Sequence, residues 1–394
     1  SLVVMVLFLP ISPIASWMLD VKGSRLSIIV GTVLTFIGAA IRWAAVKADV
    51  GAPRYAVTMF GQVLIAIGQP TLLAAPTKVA ADWFGEKERT TANTIMSLSN
   101  PIGSAIFLGL APVIVTGSGS NPEPNNIPNL NFALACLSLL AAIGSLFIYD
   151  TPPTPPSRSA GMPSDPFLPG MKKLVRNRSY IILFVVFGFM IGIFNTFVTL
   201  INDYVTPYGY TDNDAGNVGV ALIASGIISA GIVGPIMDRT LAHQLALKIC
   251  TLLGTAGLVV FTFGCDPNRI GTVFAGAILM GAGGFPLLAV CLELGVECSW
   301  PIAEGTTAGG LWFSANFFGI IFLLISNLLR NPDSTLRRGL IFVACMAATA
   351  FCASLFYSTP NHRANHDRAE GPSAPAVEEV AVTDASDMAK VDQV

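Results

Sequence analysis

Eleven stretches of this 394-residue chain run for about twenty residues each with almost no charge, and nothing else in it limits the fold so tightly. They fall near residues 1–19, 26–46, 55–77, 91–115, 130–149, 179–201, 216–237, 246–264, 271–292, 306–327 and 339–357. A bilayer's hydrocarbon core is roughly 30 Å thick and takes about 20 apolar residues of helix to cross. Inside it every backbone N–H and C=O must find a partner within the protein, so runs of this length read as helices. Only 12% of the residues are charged, against about 25% in a soluble domain. The reading is an all-α, multi-pass protein of the plasma membrane or of an endomembrane such as a vacuole or lysosome. A net charge of −2 gives no electrostatic footprint for nucleic acid.

Between the fifth and sixth runs lies YDTPPTPPSRSAGMPSDPFLPGMKKLVRNRS (149–179), too rich in proline, serine and basic residues to enter a bilayer. It divides the chain into a first bundle (1–150), a cytoplasmic linker (151–178), a second bundle of six helices (179–357) and a disordered acidic tail (358–394). With the linker placed inside, inner loops hold twelve lysines and arginines against seven in the outer loops, the side that the positive-inside rule favours.

Two phrases recur across this division. ERTTANT begins at Glu88 and EGTTAGG at Glu304, each a few residues past a tryptophan and each opening an apolar run. Asp20 and Asp238 recur as well, each at the inner end of a run and each followed within two residues by a base. The two pairs are separated by 216 and 218 residues, nearly one offset. Independent landmarks sharing an offset point to an internal duplication of the kind found in transporters built from parallel repeats. The first aspartate follows its half's first run, whereas the second follows its half's second. The expectation is therefore an intact arrangement of six plus six, with eleven of twelve helices present and the first absent.

The loop DVKGSR (from Asp20) resembles the loop signature of the major facilitator superfamily, with Val21 and Ser24 where basic residues are commoner. More specifically, ASWMLDVKGSRL and LELGVECSWPIAEGTTAGGLW resemble the feline leukaemia virus subgroup C receptor-like family. The resemblance implies the major facilitator fold of two six-helix bundles and a monomeric carrier of a small solute by alternating access. The substrates it implies are choline, ethanolamine or a related small amphipathic molecule, with haem also proposed for the family. It implies a crossing too: Asp20 would face the start of the 306–327 helix, and Asp238 the start of the 91–115 helix. A helix's first turn has unpaired N–H groups and about half a positive charge, which a carboxylate complements.

In that reading Asp20 with Gly23, Thr91, Asp238 and Thr307 forms an inner gate, whose balance Lys22, Arg25, Glu88, Arg239 and Glu304 would tune. The alternative is local N-capping within each loop. Glu293 and Glu297, four apart on one helix face, read either as a protonatable gating pair or as ion-pair partners for Lys248 or Arg239. Polar residues within apolar runs mark the solute path: Gln69, Asn100, Asn195 and Asn316, with Phe194 and Trp312 beside them. Positions that hold Tyr and Gln in the family's quaternary-ammonium site hold Asn195 and Pro101 here, and only Asn316 keeps the chemistry, so choline is not carried over with the family. No acid, base or histidine falls clearly at mid-membrane, which favours a facilitator or coupling through a residue on the absent first helix, and His243, His362 and His366 lie outside the runs, leaving haem no axial ligand. No cofactor is implied. HExxH, GxSxG and phosphate-loop motifs are missing, so the reading is not an enzyme; a receptor of the same fold that senses without transporting is the alternative. The seven cysteines read as core residues, with Cys265 alone meeting water.

Overall fold

The fold was analysed in a computed structural model that describes residues 2–47, 51–85, 88–115, 127–154, 156, 167–331 and 335–359. The expected tail past residue 359 and linker residues 157–166 lie outside the described residues. Each apolar run forms one long helix: α1 (Leu2–Lys22), α2 (Ser24–Ala44), α3 (Ala52–Trp83), α4 (Arg89–Val115) and α5 (Ile127–Ser145) before the linker. After it come α7 (Arg178–Val205), α8 (Asp212–Thr240), α9 (His243–Gly264), α10 (Ile270–Ser299), α11 (Glu304–Leu328) and α12 (Arg337–Leu355). The linker itself contributes α6 (Phe167–Leu174), which is too short to span. Ten of these helices are long and apolar enough to cross a bilayer, and α4 carries the eleventh expected run. Among the described residues there is no β-strand.

Helix lengths exceed the sequence estimate at the inner ends. α3 has 32 residues and α10 has 30, about 48 and 45 Å at 1.5 Å per residue, so both project beyond the hydrocarbon. Pro70 and Pro76 interrupt the hydrogen-bond ladder of α3, and Pro286 that of α10.

The packing repeats. In the first half α2 and α1 lie on α3, and α2 lies on α5; in the second, α9 and α8 lie on α10, and α9 lies on α12. Small residues let the helices approach, as where Gly38 on α2 meets the backbone of Gly61 on α3. The corresponding pair in the second half is α9 and α10, where Gly257 meets the backbone of Gly276 and Met280. The two halves then meet through α1 on α11 and α4 on α8, which are the same contact with the halves exchanged. The aspartates and threonine phrases lie at the inner end of these two seams.

Candidate functional site

Asp20 stands two residues before the end of α1 and reaches across to the other bundle. Its Oδ1 accepts a hydrogen bond from Gly305 N at 2.9 Å, and its Oδ2 from Thr306 Oγ1 at 2.5 Å. The N-cap of α11 is Ala303, whose side chain offers no acceptor. A first-turn N–H has no partner in its own helix, so here the carboxylate of α1 caps α11 in place of a local side chain. A Cβ at position 305 would strike Asp20 Oδ1, which is why glycine stands there. At the other seam Asp238 is 7% exposed. Its Oδ1 accepts from Thr90 N at 2.9 Å and its Oδ2 from Thr91 N at 2.8 Å. Each bundle thus caps a helix of the other.

The neighbouring charges divide unevenly. Lys78 on α3 lies 3.0 Å from Asp82 and 3.4 Å from Glu304, adding an ion pair between the bundles. Glu88 and Arg239 are exposed and line a groove of about 490 Å³ beside Asp238. Lys22 is exposed, and Arg25 works within its own bundle: its backbone N donates to Asp150 Oδ1 at 2.7 Å and its Nη2 to Leu146 O at 3.2 Å. Gly23, with φ +92°, makes the turn that permits this. Thr307 Oγ1 lies 2.9 Å from Ser299 Oγ and donates to Ala303 O, so it braces the start of α11. His243, five residues after Asp238, is buried with Nε2 3.2 Å from Thr90 Oγ1. Neither Lys78 nor His243 stood out in the sequence as a gate residue. The one available signal for His243 was that Arg25 occupies the same place after Asp20.

Deeper in, the polar residues singled out in the sequence converge. Gln69, Asn100, Phe194, Asn195, Trp312 and Asn316 line one chamber of about 130 Å³ between the bundles. Gln69, Asn100 and Trp312 also line an adjoining chamber of about 510 Å³ that reaches Gln62. No charged side chain is among the lining residues of either. Asn316 Nδ2 donates one N–H to Trp312 O at 2.9 Å, leaving its second N–H and its carbonyl oxygen. Trp312 lines both chambers, and its Nε1 is buried without a partner among the described residues. Phe194 meets Phe285 edge to face at 5.2 Å, and Trp312 meets Phe187 likewise at 5.6 Å. Ser97, on the same side of α4 as Asn100, lines both chambers and escaped the sequence reading, as did Phe285.

Glu293 and Glu297 are each 5% exposed, packed within the second bundle, and Glu293 forms no ion pair among the described residues. One expectation changes. Cys265 is buried rather than wet: its Sγ lies 3.6 Å from Tyr204 O, and burial pushes its thiol up to about 12. The exposed cysteines are Cys136, Cys345 and Cys352, all on membrane-length helices.

Residues 1–324 match the sequence profile of the Major Facilitator Superfamily. Among curated proteins the chain is similar to Solute carrier family 49 member A3 of Xenopus tropicalis, at 33% identity over 85% of this chain and 70% of that protein. It is similar also to the Choline/ethanolamine transporter FLVCR1 of Felis catus, at 30% identity over 87% of this chain and 62% of that one. The chain thus spans about two thirds of the length of these relatives. Among solved structures the E. coli fucose:proton symporter superposes with a TM-score of 0.71 at 15% identity, covering 91% of this chain and 90% of that one. A bacterial homologue of the iron transporter ferroportin, in an outward-facing state, gives 0.65 at 12% identity over 91% and 89%. At such identities these two speak to the fold alone.

Proposed function

This chain belongs to the Major Facilitator Superfamily of multi-pass membrane transporters, and from that premise we propose that it carries a small organic solute by alternating access. The observation that carries the proposal is the pair of crossed carboxylate clasps, Asp20 on Gly305 and Thr306, and Asp238 on Thr90 and Thr91. Both lie at the end that the basic residues assign to the cytoplasm. With both made, that end of the cleft is shut. Rocking the bundles apart breaks both contacts together and returns two carboxylates and two helix starts to water, which can solvate them.

The solute sits among Gln69, Ser97, Asn100, Asn195 and Asn316, with the rings of Phe194 and Trp312 beside it. These groups offer amide donors and acceptors and aromatic faces, but no counter-ion. They suit a small amphipathic molecule that is neutral, or whose positive charge is diffuse enough to rest on ring faces. The curated cat relative is named as a choline/ethanolamine transporter; here the chemistry favours a solute that also accepts hydrogen bonds. Metabolite profiling of cells with and without the full-length gene tests this, with uptake of labelled choline and ethanolamine run alongside. A neutral or weakly cationic solute whose level follows expression is expected. Accumulation of a multiply charged anion would overturn the substrate class.

A further inference from the structure

We propose that the groove outside the α1–α11 seam binds one anionic phospholipid of the cytoplasmic leaflet, its acyl chain in the groove and its phosphate on the bases at and just after the end of α6. The groove measures about 520 Å³ and lies apart from the central chambers. Pro13 of α1, Gly310 and Phe313 of α11, and Ile181 and Phe184 of α7 wall it, and Met171 of α6 closes its inner end. Three of its four polar side chains are already engaged: Tyr180 Oη donates to Thr307 O at 2.8 Å, Ser12 Oγ to Gly309 O at 3.2 Å and Thr306 Oγ1 to Asp20 Oδ2, which leaves the Ser16 hydroxyl. A polar solute finds little to bond there, whereas a hydrocarbon chain finds mostly apolar wall.

The flanks identify the side from which an occupant enters. Ile14, Ile181 and Phe317 are 61%, 45% and 40% exposed beside the groove, the surface that a membrane-spanning protein turns to lipid tails. At the inner end the charge changes sharply. Lys172, Arg176 and Arg178 are all exposed, and no acidic residue occurs from 167 through 202. α6 is amphipathic in the required sense: Met171 and Leu174 line the groove while Lys172 lies on its exposed side. An apolar slot open to the bilayer with a basic cluster at headgroup level matches an anionic glycerophospholipid, since such clusters attract anionic lipid. Free phosphate matches only the bases, and a neutral lipid only the slot. The groove beside Asp238 is different, because Glu88 and Asp238 line it and α6 does not reach it. The proposal is independent of what the central chambers carry.

The test uses the full-length protein in micelles holding equal amounts of phosphatidylglycerol and phosphatidylcholine with identical acyl chains. Native mass spectrometry of the wild type is expected to show phosphatidylglycerol retained over phosphatidylcholine by at least about fivefold, given three bases at a membrane surface. K172Q/R176Q/R178Q, which changes only exposed side chains, is expected to bring the ratio near one with an unchanged melting temperature in phosphatidylcholine alone. Millimolar inorganic phosphate is expected to leave the wild-type ratio intact. In I181W, phosphatidylglycerol with brominated acyl chains is expected to quench more fluorescence than it does in the wild type. A wild-type ratio near one, an unchanged ratio in the triple variant, displacement by phosphate, or no added quenching in I181W would each overturn the assignment.

Discussion

Replacing Asp20 by Asn removes one charge from a clasp without changing its shape. Asp20 accepts two hydrogen bonds, at 2.9 Å from Gly305 N and 2.5 Å from Thr306 Oγ1. Bonds to a charged acceptor contribute about 1.5–3 kcal/mol each, against about 0.5–1.5 for neutral ones. The positive end of the α11 dipole adds about 0.3–1 kcal/mol. Asn keeps a carbonyl for Gly305 and turns its NH2 towards the Thr306 hydroxyl, so both contacts survive in neutral form. It also escapes the cost of holding a charge partly out of water, which offsets part of the loss. The net is about 2 kcal/mol against the shut state, or roughly thirtyfold in the ratio of shut to open. Asp238→Asn, with two backbone donors at 2.9 and 2.8 Å, should lose a similar amount. The clasps share no partner, so the double variant should lose about the sum. Spin labels at K22C and R239C, exposed positions on opposite bundles, read the separation of the inner ends, with Cys136, Cys345 and Cys352 replaced by Ala. The wild type should give one short distance, each single variant a second, longer population, and the double variant mostly the longer one. Distance distributions in D20N and D238N that superpose on the parent's would refute the reasoning.

Other outcomes follow from the same geometry. Gly309→Ala places a Cβ against Ser16 Oγ where α1 crosses α11, and should cost about 1–3 kcal/mol of stability as overpacking, read as a lower melting temperature. Trp312→Phe keeps one aromatic ring and loses the five-membered ring with its N–H, which is buried without a partner among the described residues; KM for the transported solute should rise about fivefold or more. A KM left unchanged would take the indole N–H out of the binding site. Cys265 should resist a membrane-impermeant maleimide at pH 8 in the folded protein and react once unfolded, since burial hides its thiol and pushes it up to about 12.

Much of the fold was legible because lipid leaves so few options: eleven apolar runs became eleven long helices, with α3 and α10 running on past the expected inner ends to Trp83 and Ser299. Asp20 and Asp238 were legible for another reason. Their offset repeated that of the threonine phrases, which tied four separated segments into one pattern. Gln69, Asn100, Asn195 and Asn316 announced themselves as amides in apolar surroundings. What escaped needed tertiary context. Ser97 and Phe285 are ordinary residues for a membrane helix until the bundles place them on a common cleft. Arg25 and Lys78 looked equally basic, yet one answers Asp150 in its own bundle and the other Glu304 across the seam. Cys265 was misjudged because nearness to a loop in sequence is not nearness to water; Tyr204 lies over it.

The account stands on the two bundles parting at the clasped end, and a reversible lock tests that most directly. A Cβ at Gly234 on α8 would lie 3.5 Å from Thr94 Cβ on α4, at the short end of the range a disulfide spans. In full-length T94C/G234C, oxidation should stop exchange of the solute found by metabolite profiling, and reduction should restore it to the rate of the unoxidised variant. Exchange that continues at an undiminished rate with the cross-link verified by mass spectrometry would contradict the account.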